Sequence, residues 1–218
     1  MNLRPARAMT IVQSLVGLLL ILTPVLLIWQ HFGMTRILEI SPSHPYGVTI
    51  TDDRYEKGNS VSSLERTRDA LVMHCTLRPG YSWPFCKIQF HMGQGSKGLD
   101  FSQFDTVTFD MTYSGTTQRK IRLHLTNFEP EFSKVGDWNS QRYNWVEFDV
   151  PTQSAFTFPL NVVRTADWWV SSHNVPLEKT YARLDNVTAV EISTGSVPPG
   201  QSIMIELRSI RFRGKWIS

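Results

Sequence analysis

Five aromatic residues in two short segments carry the chemistry that is easiest to interpret in this sequence. The same two segments also carry planar polar and charged side chains, and together they contain Asp137, Trp138, Arg142, Tyr143, Asn144, Trp145, Asp167, Trp168 and Trp169. A saccharide site needs this mixture, because an aromatic ring packs against the C–H face of a sugar while planar polar groups bond its hydroxyls. Some of these tryptophans could instead fill a core. Neighbours on an extended chain face opposite ways, so we expect one member of the Trp168-Trp169 pair to be available to a ligand.

The predicted ligand-binding set divides into hydrogen-bonding and stacking residues. It consists of Arg122, Asn127, Asp137, Arg142, Asn144, Trp145 and Trp168. Arg122, Asn127, Arg142 and Asn144 would bond the ligand, and Trp168 or Trp145 would stack on it. The expected ligand is a saccharide or another polar small molecule.

Catalytic and metal-binding patterns are missing from the sequence. It has no G-x-S-x-G nucleophile motif and no H-E-x-x-H zinc motif. Glycoside hydrolysis needs two suitably separated carboxylates, and the spacing selects no two from Glu129, Glu131, Asp137, Glu147 and Asp149. We therefore expect no catalytic residue, no cofactor and no metal ligand. Asp52-Asp53 could contribute to a calcium site, but an acidic turn is the interpretation we prefer.

Two cysteines, Cys75 and Cys86, lie close together in the sequence. In an oxidising compartment such an isolated pair indicates a disulfide rather than a metal site or a nucleophile. Pro79-Gly80 between them is a turn signal, which predicts a disulfide-linked hairpin.

Short segments with a period of two residues predict the architecture. Val107, Phe109, Met111 and Tyr113 alternate with polar residues, and the same pattern recurs in 121–125, 146–150 and 203–207. After Leu207 the apolar phase slips by one residue, which predicts a β-bulge near Arg208-Ser209.

Further strand candidates are weaker but numerous. They are Val48–Thr51, Ser60–Leu64, Leu71–Leu77, Lys87–Met92, Phe156–Leu160 and Val187–Ser193. About ten short strands separated by turn residues predict an all-β, antiparallel jelly-roll sandwich. Arg122, His124, Trp145, Glu147 and Asp149 alternate with the core residues and would line one outer, concave sheet, where we expect the ligand.

An uncharged N-terminal segment predicts a membrane anchor. Met9 to Gln30 is 22 residues long, and a helix of that length, about 33 Å, spans a bilayer core. Arg4 and Arg7 precede it, which favours a cytoplasmic N-terminus. The alternative is a cleaved signal peptide, although no small-residue cleavage site follows Trp29. The predicted division is 1–36 for the N-terminus and single-pass anchor, 37–45 for a linker containing Ser41–Pro45, and 46–218 for an exported domain.

The charge distribution argues against a nucleic-acid partner. All 19 acidic residues lie at or after Glu39, and the formal excess of +3 resides on Arg4, Arg7 and Arg36. The exported part is therefore neutral, whereas nucleic-acid-binding domains carry basic patches.

The ordered motifs resemble a known family. They are Gly98-Leu-Asp-Phe-Ser102, Arg122-Leu-His-Leu-Thr-Asn127, Asp137-Trp-Asn-Ser140, Arg142-Tyr-Asn144, Asp167-Trp-Trp169, Asp185-Asn-Val187 and Gly214-Lys-Trp-Ile-Ser218. Together they are similar to the periplasmic carbohydrate-binding-module-like domain that precedes GGDEF in bacterial membrane diguanylate cyclases. The resemblance covers nearly all of 46–218 and implies a galactose-binding-like jelly roll that senses an extracytoplasmic ligand at the inner membrane.

The sequence departs from that family because it contains no GGDEF string and no second apolar helix after Ser218. We therefore expect a sensing module without cyclase activity, either on its own or as the front part of a longer protein. The alternative is an envelope domain that docks a protein, including a homodimer with its own twin. A polysaccharide-acting enzyme is the weakest of the three hypotheses.

Overall fold

Two antiparallel sheets form the folded domain, as the period-two segments predict. The computed structural model describes residues 5–33, 35–44 and 46–215. The Trp216–Ser218 part of the last family motif, Pro45 of the predicted linker and the N-terminal residues 1–4 lie outside them. The described elements are α1 Pro5–Gly33, β1 Thr35–Ile40, β2 Gly47–Asp52, β3 Val61–Arg66, β4 Leu71–Thr76, β5 Cys86–His91, β6 Phe104–Ser114, β7 Lys120–Asn127, β8 Arg142–Asp149, β9 Ala155–Pro159, β10 Arg164–Thr165, α2 Asp167–Ser172, β11 Val187–Thr194 and β12 Ser202–Lys215.

Each sheet has six strands. The first sheet has the order β3-β4-β12-β6-β9, and β1 pairs with the C-terminal half of β12. The second sheet has the order β10-β8-β7-β11-β5-β2. The all-β antiparallel sandwich is thus confirmed.

The core fills the space between the inner faces of the two sheets. Val107, Phe109, Met111 and Tyr113 are all buried, and so are their counterparts on β7. The Phe109 ring stacks on Phe156 and Phe158 with centroids 5.5 and 5.6 Å away. Burying each such side chain contributes about 1.5–3 kcal/mol, so these alternating residues hold the sheets together.

The predicted bulge is also confirmed. The pairing of β12 with β6 shifts register between Leu207 and Ser209. One extra residue in β12 keeps Ile210 and Phe212 directed into the core after the phase slip.

The predicted linker needs a correction at its start. Residues 35–40 form strand β1, which pairs with β12 from Thr35↔Lys215 to Ile40↔Ile210. Its apolar side chains Leu38 and Ile40 contribute to the core, and this burial favours a strand over an extended linker. Residues 41–44 then form a turn on the way to β2 in the second sheet.

Helix α1 contains an apolar stretch long enough to cross a membrane. Ile11–Trp29 is 19 residues long with a mean hydropathy of 2.5, and none of it is buried against the domain. A membrane anchor and a signal sequence both have this character.

Cys75 and Cys86 form the predicted disulfide, but it does not close a hairpin. Cys75 lies on β4 in the first sheet, and Cys86 begins β5 in the second. The segment with Pro79-Gly80 therefore carries the chain across the sandwich. The bond links the two sheets through the core, where both cysteines are buried.

Reduction of this disulfide should destabilise the domain. A cross-link that closes a loop of this size is worth about 3 kcal/mol, so the Cys75→Ala/Cys86→Ala variant should unfold at a markedly lower urea concentration. Circular dichroism of the purified full chain gives the comparison. An unchanged midpoint, with dithiothreitol also without effect on the native chain, would contradict the assignment.

Candidate functional site

The strand registers bring polar and aromatic side chains together on the outer face of the second sheet. Residues directly opposite one another on adjacent strands point to the same side. Three transverse rows result: His91, Ala189, Thr126 and Tyr143; Gln89, Glu191, His124, Trp145 and Arg164; and Lys87, Ser193, Arg122 and Glu147. Adjacent strands are about 4.8 Å apart, so the five-strand row spans about 19 Å. We call this surface the outer face.

A buried carboxylate lies at the centre of the outer face. Glu191 is only 1% exposed, and its Oε2 accepts a hydrogen bond from the Tyr143 hydroxyl and one from Lys87 Nζ at 3.1 Å. Burial alone would raise the pKa of Glu191, but the nearby positive charge of Lys87 and these hydrogen bonds outweigh it and lower the pKa. Glu191 is therefore a fixed anion that holds Lys87 and Tyr143 in place.

His124 lies beside this anion and is held neutral. Burial, with the charges of Lys87 and Arg122, lowers the pKa of His124 to about 4 although Glu191 acts in the opposite direction. Its Nε2 is 2.9 Å from Ser193 Oγ. Its Nδ1 is buried and has no hydrogen-bond partner among the described residues.

Trp145 lies between two arginines. The guanidinium carbon of Arg122 is 5.5 Å from the Trp145 ring centroid, and that of Arg164 is 5.2 Å away. Arg122 is held by Glu147 Oε2 at 2.8 Å and by Ser196 Oγ at 2.7 Å. Of the predicted residues, Arg122 and Trp145 thus do lie together on the outer face.

Two further tryptophans border the Tyr143 end of the outer face and expose about half of their surface. Trp168, 53% exposed, lies 5.5 Å from the Tyr143 ring, and Trp138, 46% exposed, lies 5.6 Å from the His91 ring. Asp137 caps the short 3₁₀ turn that carries Trp138, accepting a bond from the Asn139 amide. Asp137 therefore has a structural role in this turn.

The Trp168-Trp169 pair lies on α2 rather than on an extended segment, so that premise of the sequence analysis is wrong. One member is nevertheless exposed and the other, Trp169, is fully buried. In a helix, consecutive side chains point about 100° apart, which is enough to place one ring outside and the other inside.

Arg142, Asn127 and Asn144 point away from the outer face and are fully buried. Arg142 donates to Glu129 Oε2 at 2.6 Å and to the carbonyl oxygens of Lys179 and Tyr181 at 2.8 and 3.1 Å. Its guanidinium also lies 4.7 Å from the Trp169 ring centroid. This arginine holds the segment after α2 against the sheet, so a direct ligand contact does not fit its position.

The two asparagines have similar structural partners. Asn144 Nδ2 donates to the carbonyl oxygens of Leu125 and Arg183, and Asn127 Oδ1 accepts from the Asn186 amide. The alternation along the strands indicates these inward positions. Arg142 and Asn144 point to the same side of β8 as Val146, and Asn127 points to the same side of β7 as Leu125.

The acidic pair Asp52-Asp53 is bonded to its own loop. Asp52 accepts bonds from Arg54 and Ser62, and these lower its pKa to about 2 against the opposing effect of burial. Asp53 accepts bonds from the Ser60 amide and hydroxyl. Among the described residues, no three His, Cys, Asp or Glu side chains converge as metal ligands do.

The sandwich is similar to solved carbohydrate-binding modules. A family 11 module from Clostridium thermocellum, in complex with a β-1,3-1,4-mixed-linked tetrasaccharide, is 12% identical with a TM-score of 0.52 over 84% of this chain and 98% of that one. A solution structure of CtCBM11 is 10% identical with a TM-score of 0.54 over 83% of this chain and 95% of the other. No protein-family model matches the sequence, and a search of curated proteins finds no relative. The likeness confirms a carbohydrate-binding-module-like jelly-roll fold.

Loss of Arg142 should unfold the region that carries Trp168. Arg142→Met leaves buried Glu129 with the single partner Arg183, and breaking such a pair costs about 3 kcal/mol. Urea titration of the full chain measures this. Lys179→Ala is the control, because its ion pair with Glu131 is exposed and should contribute nothing measurable. Equal effects of the two substitutions would contradict the structural role of Arg142.

His124 should make the stability depend on pH. Its pKa is lower in the folded chain than the ordinary 6.5, so stability present above pH 6.5 is lost as the pH falls towards 4. The loss should be on the order of 2–3 kcal/mol. The His124→Gln variant should show a flatter profile of unfolding free energy between pH 6.5 and 4.5, and a profile as steep as that of the native chain would exclude His124 as the cause.

Proposed function

We propose that this chain is a membrane-anchored module that binds saccharides on the outer face of its second sheet. The observation that carries the proposal is the arrangement of that face. Half-exposed rings of Trp138 and Trp168 border a floor of fixed hydrogen-bonding groups around Glu191. Rings supply apolar contact with pyranose C–H groups, and the floor supplies partners for hydroxyls.

The groups of the floor hold one another in place, which favours binding. Tyr143, Lys87 and Glu191 are bonded to one another, so they lose little freedom when a ligand arrives. The fold likeness to a family 11 module in complex with a β-1,3-1,4-mixed-linked tetrasaccharide adds support for this ligand class.

The electrostatics favour binding over hydrolysis. A glycosidase needs one carboxyl group that stays protonated as a general acid, usually with a raised pKa. The pKa values of Glu191 and Glu147 are both lowered, because nearby cations and hydrogen bonds outweigh the effect of burial. Neither carboxylate on the outer face therefore suits the acid role, and we propose no enzymatic activity.

In this proposal α1 anchors the chain in a bacterial inner membrane, with the N-terminus in the cytoplasm and the sandwich in the periplasm. The module would report ligand to an output, as the sensory region of a membrane diguanylate cyclase does when a GGDEF domain follows. The pairing of Thr35 with Lys215 supports this geometry, since both ends of the domain leave it side by side.

Trp168→Ala should weaken saccharide binding. An aromatic contact of this kind is worth about 1 kcal/mol, or roughly a fivefold change in affinity. Titration calorimetry of the full chain in nanodiscs against mixed-linked glucan, xylan and uronate oligosaccharides measures it.

Trp83→Ala is the matched control, since Trp83 is 68% exposed but, unlike Trp168 beside Tyr143, makes no ring contact with a described residue of the outer face. Its affinity should match that of the native chain. If no saccharide binds, and crosslinking in membranes instead captures a protein through Trp168, the docking alternative replaces this proposal.

A further inference from the structure

The charges on the outer face pair off, with one exception. Lys87 is 3.1 Å from Glu191, and Arg122 is 2.8 Å from Glu147. Lys120 at the end of β7 is 3.7 Å from Glu147 and lies opposite Asp149 in the strand register. A cation already neutralised by a carboxylate of the protein gains little from an acidic ligand.

Arg164 is the exception. It is exposed on the edge strand β10, and no hydrogen bond or ion pair joins its side chain to any described residue. Asp167, at the start of α2, forms no ion pair with it within the described part of the chain. Among the described residues, the Arg164 guanidinium contacts the Trp145 ring, whose centroid is 5.2 Å from the guanidinium carbon.

An arginine next to an aromatic ring suits a sugar that carries a carboxylate. The planar guanidinium can bond both oxygens of a carboxylate, which neutral hydroxyls cannot match in strength. The distance of 5.2 Å is about the width of one pyranose ring, so one sugar could contact Trp145 and Arg164 together. Because β10 is the sheet edge, a polymer could continue past this point into solvent.

On the premise that the proposed function is correct, we infer that the preferred ligand is an acidic, uronate-containing saccharide, and that Arg164 selects it by binding the carboxylate. The family 11 module is instead in complex with a β-1,3-1,4-mixed-linked tetrasaccharide. Arg122 is less suited to this role than Arg164, because Glu147 already pairs with its charge at 2.8 Å.

Oligogalacturonate and its methyl ester provide a matched pair of probes, since esterification removes the charge and keeps the sugar. The full chain in nanodiscs should bind the acid form at least about tenfold more tightly than the ester, since a bond to a charged group is lost. Raising the salt concentration should weaken only the acid form. Arg164→Gln should reduce affinity for the acid form to that for the ester.

Arg66→Gln is the control, since Arg66 is exposed at the end of β3 in the first sheet. It should leave both affinities unchanged. Equal binding of acid and ester, or an Arg164→Gln variant that still prefers the acid, would overturn the inference. In that case binding of mixed-linked β-1,3-1,4-glucan would leave the proposed function standing. Failure of the native chain to bind any of the three saccharides would remove the proposed function as well.

Discussion

The buried ion pair between Arg142 and Glu129 is the interaction on which the candidate site depends. Both side chains lie inside the sandwich, so each loses its hydration, and only close hydrogen bonds offset that cost. The remaining bonds of Arg142 go to the Thr165 hydroxyl and to the main-chain carbonyl groups at residues 179 and 181. The segment that contains Lys179 and Tyr181 is thereby fixed to β8. Helix α2, which presents Trp168, lies in the sequence between this segment and Thr165, and Arg142 bonds both.

The ion pairs of the outer face differ from the buried Arg142–Glu129 pair. Its carboxylates are held by cations of the same face, so the floor is polar but nearly neutral, and its groups keep their positions without a ligand. An exposed arginine at its edge adds the one unmatched charge. The two sides of these strands thus differ: the inward residues of β7 and β8 are buried or pack against the core, whereas Arg122 and Glu147 on the outward side are partly exposed. A ligand that displaced Lys87 from Glu191 would leave a buried charge without its cation, which disfavours binding modes that break this ion pair.

The sequence predicted most of the strands, because the apolar side chains that alternate along them are the ones that become buried. It also predicted the bulge after Leu207, since one extra residue in the strand is the simplest way to return the apolar side chains to the core after the phase slip. The site was harder. Residue type suggested that Arg142 and Asn144 contact a ligand, although their phase places them inward. Glu191 was not selected, because its role appears only when the register sets it beside Tyr143 and Lys87, and pairing between distant strands is not encoded locally. The disulfide was predicted as a pair, but spacing alone does not say which sheets it joins.

The arrangement of the two sheets restricts how a bound saccharide could be sensed. The outer face belongs to the second sheet, whereas β1 and β12, which lead to the two ends of the domain, belong to the first. Between them lie a close-packed aromatic core and the Cys75–Cys86 bond. Packed interiors of this kind resist continuous deformation, so a ligand on one sheet would not readily change the spacing of Thr35 and Lys215 on the other. A polymer that bridges two modules, or that holds one module at the cell wall, would act on the whole sandwich as a rigid body. Sensing through position or association therefore fits this fold better than sensing through an internal rearrangement.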